Sequence, residues 1–391
     1  MARCLPPRFA VFSKSMFVHL KTAARAYRIG LLRKPFSPRR CFLIFLFTSL
    51  VGMLWIAVAA ARLLDHLFFP KFRSQEIKEP LFIVAPPRSG TTFALNLLAL
   101  DTKRFTHLKL FQAVFPSICF YRFFEALACA DRHIGRPFSR ILKQAENRIF
   151  QGWDKQHPLK FDAPEEDSVL FIYAFLSDGI FLLFPYFAEL WVAGFPDDLP
   201  ADDSRRLMRF YRSCLQRHLY ATGPEKTHLA KATQFAGWVN GLAREFPDAR
   251  FINLTRDPIQ SIPSLVSMYA AGWRVPNPDL AKDSKASQEC AKLSAAYYHH
   301  LLEFEKSIEG NRYIRCSYKE LIKAPGATIR SIYDHFDYEW TSAFDEALRA
   351  AQEEAAQFRS RHKYALEEFG LTQDWIAREL EPVYRVYSED L

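Results

Sequence analysis

The stretch LFIVAPPRSGTT, Leu81 to Thr92, constrains this 391-residue chain more tightly than any other feature. A short run of strand-type apolar residues, Leu81 to Ala85, leads directly into the turn PPRSG. The turn passes into FALNLLALD, where Phe93, Leu97, Leu98 and Leu100 fit one face of a helix. Strand, glycine turn and helix start form a geometry in which backbone N–H groups point at an anion. Gly90 lets the backbone approach that anion closely, the N–H groups of Ser89 to Thr92 face it, and the hydroxyls of Ser89, Thr91 and Thr92 add donors. Against the phosphate loop of nucleotide hydrolases, G-x-x-x-x-G-K-[ST], Ala85 replaces the first glycine and Thr91 the lysine. The cation sits instead at Arg88, inside the turn. The alternative without function is a plain strand-to-helix turn capped by Ser and Thr.

A second strand-to-helix passage lies downstream. Arg250-Phe251-Ile252-Asn253-Leu254-Thr255 has strand character and ends at Arg256-Asp257-Pro258, with Ser264 eight residues after Arg256 in IQSIPSLVSMY. An arginine at a strand end and a serine in the next helix can hold one terminal phosphate between a guanidinium and a hydroxyl. Pairing of Arg256 with Asp257 is the structural alternative. Two such passages predict an α/β fold: a three-layer parallel sheet with strands 81–85 and 251–255 central and helices on both faces. Ligands of such sheets bind at the C-terminal strand ends.

Taken together, these motifs resemble the sulfotransferases that use 3′-phosphoadenosine-5′-phosphosulfate (PAPS). PPRSGTT resembles that family's 5′-phosphosulfate loop and RDPIQSIPS its 3′-phosphate motif. The similarity continues through HPLKFDAPEED (157–167), PEKTHL (224–229), CSYKELIKAP (316–325) and SRHKYALEEFGL (360–371), so it covers roughly residues 80–390. It implies PAPS as co-substrate with no metal, held by Arg88, Ser89, Gly90, Thr91, Thr92, Arg256 and Ser264. Tyr318 would lie near the adenine, and Arg361, His362 and Lys363 would close over the 3′-phosphate end or form an ordinary solvated face.

Sulfuryl transfer builds charge on the leaving phosphate and releases a proton from the acceptor hydroxyl, so it needs a cation and a base. Arg88 is placed for the leaving oxygens, and Lys226 is the second candidate cation. His228 is the base implied by the resemblance of KTHL to cytosolic members, and histidine titrates near neutrality. Glu165 and Glu166 compete, since Asp162, Glu165 and Glu166 crowd three acids together. The same run also suits an acidic helix start after Pro164. Many relatives carry a glutamate after the first helix; here Gln112 occupies that region and cannot take a proton. The aromatic-rich stretch 105–192 is expected to build an acceptor pocket suited to lipid, carbohydrate or other alcohols. Two other readings compete: a P-loop nucleotide kinase or hydrolase, disfavoured by the missing loop lysine, and a non-catalytic anchored protein of the same fold.

Charge and hydropathy organise the remainder. Residues 1–40 carry ten Lys or Arg and no acid, and the other 351 residues hold 42 basic and 43 acidic groups. The net charge of +9 therefore does not signal a nucleic-acid surface, and anion binding must be local. Cys41 to Ala61 is 21 residues without a charge, enough for a helix of about 30 Å, the thickness of a bilayer core. The expected organisation is a basic cytoplasmic arm at 1–40, a single-pass transmembrane helix at 41–61, a linker at 62–79 and a sulfotransferase domain at 80–391. The excess of positive charge before the span puts the N-terminus in the cytoplasm, which implies the Golgi in a eukaryote or the inner membrane in a bacterium. A second apolar run, Val169 to Val192, holds Asp178, Gly179, Pro185 and Glu189 and is expected to form buried helices. Seven scattered cysteines suggest no disulfide framework, and no zinc spacing is present.

Overall fold

A computed structural model describes residues 16–34, 36–137, 139–141, 164–355 and 365–391. Asp162 and the basic cluster Arg361, His362 and Lys363 lie outside the described residues. Five strands, β1 (Leu81–Val84), β2 (Phe105–Thr106), β3 (Thr227–Lys231), β4 (Arg250–Thr255) and β5 (Tyr313–Ser317), form one sheet in the order β2-β3-β1-β4-β5. Every pairing is parallel, and β1 is the central strand with β4 beside it, as the sequence predicts. Ile83 lies opposite both Lys231 and Ile252, so β1, β3 and β4 end along one edge.

The strands are continuously apolar because both faces are covered. Phe82, Val84, Ala230 and Phe251 point into one core; Leu81, Ile83, Leu229 and Leu254 point into the other. The helices that matter below are α1 (Leu20–Leu32), α2 (Pro38–Phe68), α3 (Thr91–Leu98), α4 (Ile118–His133), α5 (Ala201–Thr222), α6 (Pro258–Trp273), α7 (Lys285–Ser307), α8 (Tyr318–Lys323) and α9 (Pro325–His335). Leu95 of α3 and Ile332 of α9 fill one core, whereas Tyr211 of α5, Ile262 of α6 and Phe304 of α7 fill the other, which makes the three layers.

The run from Val169 to Val192 is buried as expected, but it does not form regular helices. Short 3-10 turns cover Asp167–Ile172, Asp178–Leu182 and Trp191–Ala193. Phe175 adopts a left-handed φ of 59°, and Pro185 has no N–H for an i→i−4 bond, so an α-helical ladder cannot run through.

α2 has 31 residues, ten more than the uncharged stretch. Pro38 opens it and Ser37 Oγ accepts from the Arg40 N–H at 3.3 Å. Among the described residues it is the one helix long and apolar enough to cross a membrane by length and composition. One of its faces packs on the body along its whole length: Ile44, Val58 and Ala61 are buried and Phe47, Val51 and Leu54 half-buried, at helical spacing. Gly30 of α1 allows the close approach of α2, since a Cβ there would sit 2.9 Å from Ile44 Cδ1. α1, within the basic arm, lies on this body too. The His19 N–H donates to the Ala174 carbonyl at 2.8 Å, and Tyr27 packs its ring against Phe175 and Phe184.

Candidate active site

The loop after β1 has the backbone its sequence calls for. Arg88 and Gly90 both take left-handed conformations, φ 70° and 84°, and α3 starts at Thr91. For arginine that conformation costs about 1–2 kcal/mol. The reason for glycine at position 90 is also steric: a Cβ there would stand 2.7 Å from Cδ2 of Tyr318. Ser89 is fully buried, and the Arg88 side chain leaves the loop to donate from Nε to Ser264 Oγ at 3.1 Å.

That contact joins the two anion motifs. Arg256, at the end of β4, donates from Nη1 to the Arg88 carbonyl at 2.6 Å and lays its guanidinium over the Tyr318 ring, 4.3 Å from the centroid. Its Nε is buried and has no acceptor among the described residues. Asp257 does not pair with it. It caps α6 instead, accepting from the Ile259 N–H at 3.0 Å and from the Tyr384 hydroxyl at 3.0 Å. The Arg256 carbonyl takes the Tyr298 hydroxyl at 2.7 Å, and burial raises the pKa of that phenol, keeping it protonated. Arg88, Gly90, Arg256, Ser264 and Tyr318 are thus brought together at one edge of the sheet.

The candidate acids and cations separate. Lys231, at the C-terminal end of β3, donates to Thr92 Oγ1 at 2.9 Å and pairs with Glu166 Oε1 at 2.5 Å. The cation absent from the loop sequence therefore arrives from the neighbouring strand. Sequence reasoning missed Lys231; the available signal was a lysine closing the apolar run of β3. Lys226 precedes the other end of that strand and folds its chain over Gly223. His228 is fully buried three residues before Lys231, with Nε2 3.0 Å from Asp167 Oδ2, an oxygen that also accepts the Tyr211 hydroxyl at 2.6 Å. Beside it, burial first and then His228 hold His107 down to about 4, and the same two causes with His107 push His218 well below the usual histidine value.

Glu165 is buried, its N–H donates to the Leu108 carbonyl at 2.9 Å, and its Oε1 accepts the Glu166 N–H at 3.0 Å. The bond to Leu108 and a bridge from Pro164 to Lys109 bring the acids next to the segment that carries Phe111, Phe115, Phe120 and Phe124, half-buried rings in mutual contact. Gln112 is buried there and caps its own turn through the Lys109 N–H at 3.0 Å. Among the described residues no group of His, Cys, Asp and Glu is arranged to hold a metal ion, and the described cysteines are free thiols.

A parallel sheet whose carboxyl edge gathers a glycine turn, two arginines and a lysine–carboxylate pair defines the class as an α/β protein with its polar cluster at the strand ends. The sulfotransferase family model matches residues 80–342, and the chain belongs to that family. Omega-hydroxy-beta-dihydromenaquinone-9 sulfotransferase Stf3 from Mycobacterium bovis and its counterpart from Mycobacterium tuberculosis are each 24% identical over 131 residues, 34% of this chain. The match spans about a third, 32%, of those relatives' length. Among solved structures, sulfotransferase STF9 from Mycobacterium avium aligns with a TM-score of 0.68 at 19% identity, over 95% of this chain and 97% of its own. Sulfotransferase STF1 from Mycobacterium tuberculosis H37Rv gives 0.63 at 18%, over 94% and 100%. These two share the fold.

Proposed function

We propose that the chain transfers a sulfuryl group from PAPS to a hydroxyl on an apolar acceptor. The observation that carries this reading is the junction of the two anion motifs: the Arg88 side chain on Ser264 and Arg256 on the Arg88 carbonyl. A nucleotide with phosphate at both ends of its ribose needs two such sites side by side. The unpartnered Nε of Arg256 and the close approach at Gly90 fit that ligand. The loop N–H groups with Ser89, Thr91 and Thr92 would hold the 5′ end, Arg256 and Ser264 the 3′-phosphate, and the Tyr318 ring the adenine side.

In the transfer, the acceptor oxygen forms a bond to sulfur while the bond from sulfur to the bridging phosphate oxygen breaks. PAPS supplies the activated sulfuryl group. Arg88, Lys231 and the loop N–H groups take up the charge that grows on the leaving phosphate. We assign the proton of the acceptor hydroxyl to the Glu166 carboxylate rather than to His228. Glu166 reaches the loop through Lys231, whereas His228 is shut inside the sheet layer by Asp167 and Tyr211. The aromatic cluster beside Glu165 suits a lipid alcohol, and the name of the Stf3 relatives describes an apolar hydroxylated acceptor.

Labelled sulfate transfer by the full-length protein, together with calorimetric binding of adenosine 3′,5′-bisphosphate, tests this. Loss of a charge-assisted contact of about 1.5–3 kcal/mol predicts that Arg256→Ala raises the bisphosphate Kd roughly 10- to 150-fold. An unchanged Kd rejects the site. Glu166→Gln should lower kcat by about 100-fold or more with the Kd unaltered, and His228→Asn should change kcat little. The reverse pattern returns the base to His228. Magnesium-dependent ATP turnover without sulfate transfer would favour the kinase reading.

A further inference from the structure

Both ends of α2 are tied to the same folded body. Near its start, Arg40 donates from Nη2 to the Arg33 carbonyl at 2.7 Å and from Nη1 to Asn277 Oδ1 at 3.3 Å. Near its end, Asp65 accepts from Ser117 Oγ and the Cys119 N–H, each at 2.9 Å, and from Arg217 Nε at 2.8 Å. Arg40 and Asp65 are separated by about 37 Å of helix, more than a hydrocarbon core is thick. A helix that crossed a bilayer between an arm and a domain would have its two ends on opposite sides. Here the inward face follows the protein from end to end.

The outward face is the reverse. Phe42, Phe45, Met53, Ile56 and Leu67 are 62–69% exposed and recur at helical spacing, with no charge from Cys41 to Ala61. Of the twenty large apolar side chains most open to solvent among the described residues, sixteen lie on α1, α2, α4 and the turns that adjoin them. The exposed apolar side chains are therefore concentrated on α2 and on the two helices that pack against it instead of scattered. The same hairpin carries the chain's charge excess: Lys21, Arg25, Arg28, Arg33, Lys34 and Arg39 are exposed, and residues 1–40 hold no acid. An apolar stripe beside a cationic rim is complementary to an anionic lipid surface.

We propose that the α1–α2 hairpin with α4 is an in-plane membrane-docking face: α2 lies parallel to an anionic bilayer, embeds its outward stripe in one leaflet and does not cross. This stands independently of the sulfuryl-transfer reading, since it concerns only how the body is held. The occupant is lipid. A second copy of the chain would find its own rim of like charge opposite, which disfavours close approach of two hairpins.

The experiment uses the full-length protein with Cys4, Cys41, Cys119 and Cys129 changed to serine, carrying one fluorescent label at Phe42→Cys, Met53→Cys or Leu64→Cys. These positions lie eleven residues apart and so on one face. Bound to vesicles of mixed phosphatidylcholine and phosphatidylglycerol containing quenchers at known depth, the three labels should report one shallow depth. A deep label at 53 flanked by shallow ones at 42 and 64 means a spanning helix and overturns the proposal. Phe45→Glu/Met53→Glu/Ile56→Glu should lower partition onto these vesicles by roughly 100-fold or more while leaving the thermal unfolding transition in place. Vesicle binding retained in this variant overturns the proposal, and so does a stable dimer of the unsubstituted protein that ignores vesicles.

Discussion

Asp65 should be among the most sensitive positions in the molecule. It is fully buried, as are Arg62 and Arg217. Its carboxylate takes the Arg217 Nε–H at 2.8 Å and the Ser117 hydroxyl at 2.9 Å. It also takes the N–H groups of Ile118 and Cys119 at 3.2 and 2.9 Å, and so caps α4 from another helix. Burial and then Arg62 already pull Arg217 down to about 9, and Asp65 opposes both. Asp65→Ala leaves a buried guanidinium without its counter-ion, a change worth about 3–5 kcal/mol, and strips a cap worth about 1 kcal/mol. Against a total stability of about 5–15 kcal/mol, the loss is severe. Urea unfolding of the full chain in a fixed mild detergent, followed by fluorescence, measures it. Asp65→Leu with Arg217→Met removes both charges and should recover most of the loss. If Asp65→Ala costs less than about 1 kcal/mol, or the pair is no better than the single change, the ion pair does not hold α2 to the body.

Gly90→Ala places a methyl group in the left-handed region and within 2.7 Å of the Tyr318 ring, so bisphosphate binding should weaken at least roughly 10-fold, read by calorimetry. Lys231→Met should lower kcat and loosen the loop about Thr92, seen as faster proteolysis of the region around Arg88 in the absence of nucleotide. His107 is held down to about 4, below the unfolded value near 6.5. The folded protein thus binds fewer protons between those values; the contribution is complete above about pH 6.5 and fades as pH falls towards 4, by about 3 kcal/mol. Urea midpoints from pH 7 to 4 should show that decline, and His107→Gln should flatten it.

Strands β1 and β4 were legible in the sequence because they are short apolar runs closed by turn chemistry, and the loop at Pro86–Gly90 because its residues act locally; β2, β3 and β5 carry no such signal. The second motif was visible as Arg256 and Ser264, eight positions apart on one strand-to-helix passage, and both residues meet Arg88. Lys231 escaped notice because its role depends on the register between β3 and β1, which sets it beside Thr92. The motif KTHL implied His228 as the base. Only the packing of Asp167 and Tyr211, from segments far away in sequence, encloses it. The irregular path of 167–193 was hidden for a related reason: hydrophobicity reports burial, while a broken hydrogen-bond ladder depends on a few dihedral angles such as that of Phe175. For α2, composition revealed an apolar helix, and the tertiary contacts of its inner face could not be read from it.

Synthesis order gives those contacts a further meaning. The partners that fasten α2, Arg217 and Asn277, lie 152 and 237 residues later in the chain than Asp65 and Arg40. At about 5–20 residues per second, a ribosome leaves the nascent helix without them for roughly ten to fifty seconds. During that interval α1 covers only part of its inner face, so chaperones, targeting factors or lipids meet the rest of that face before the folded body does.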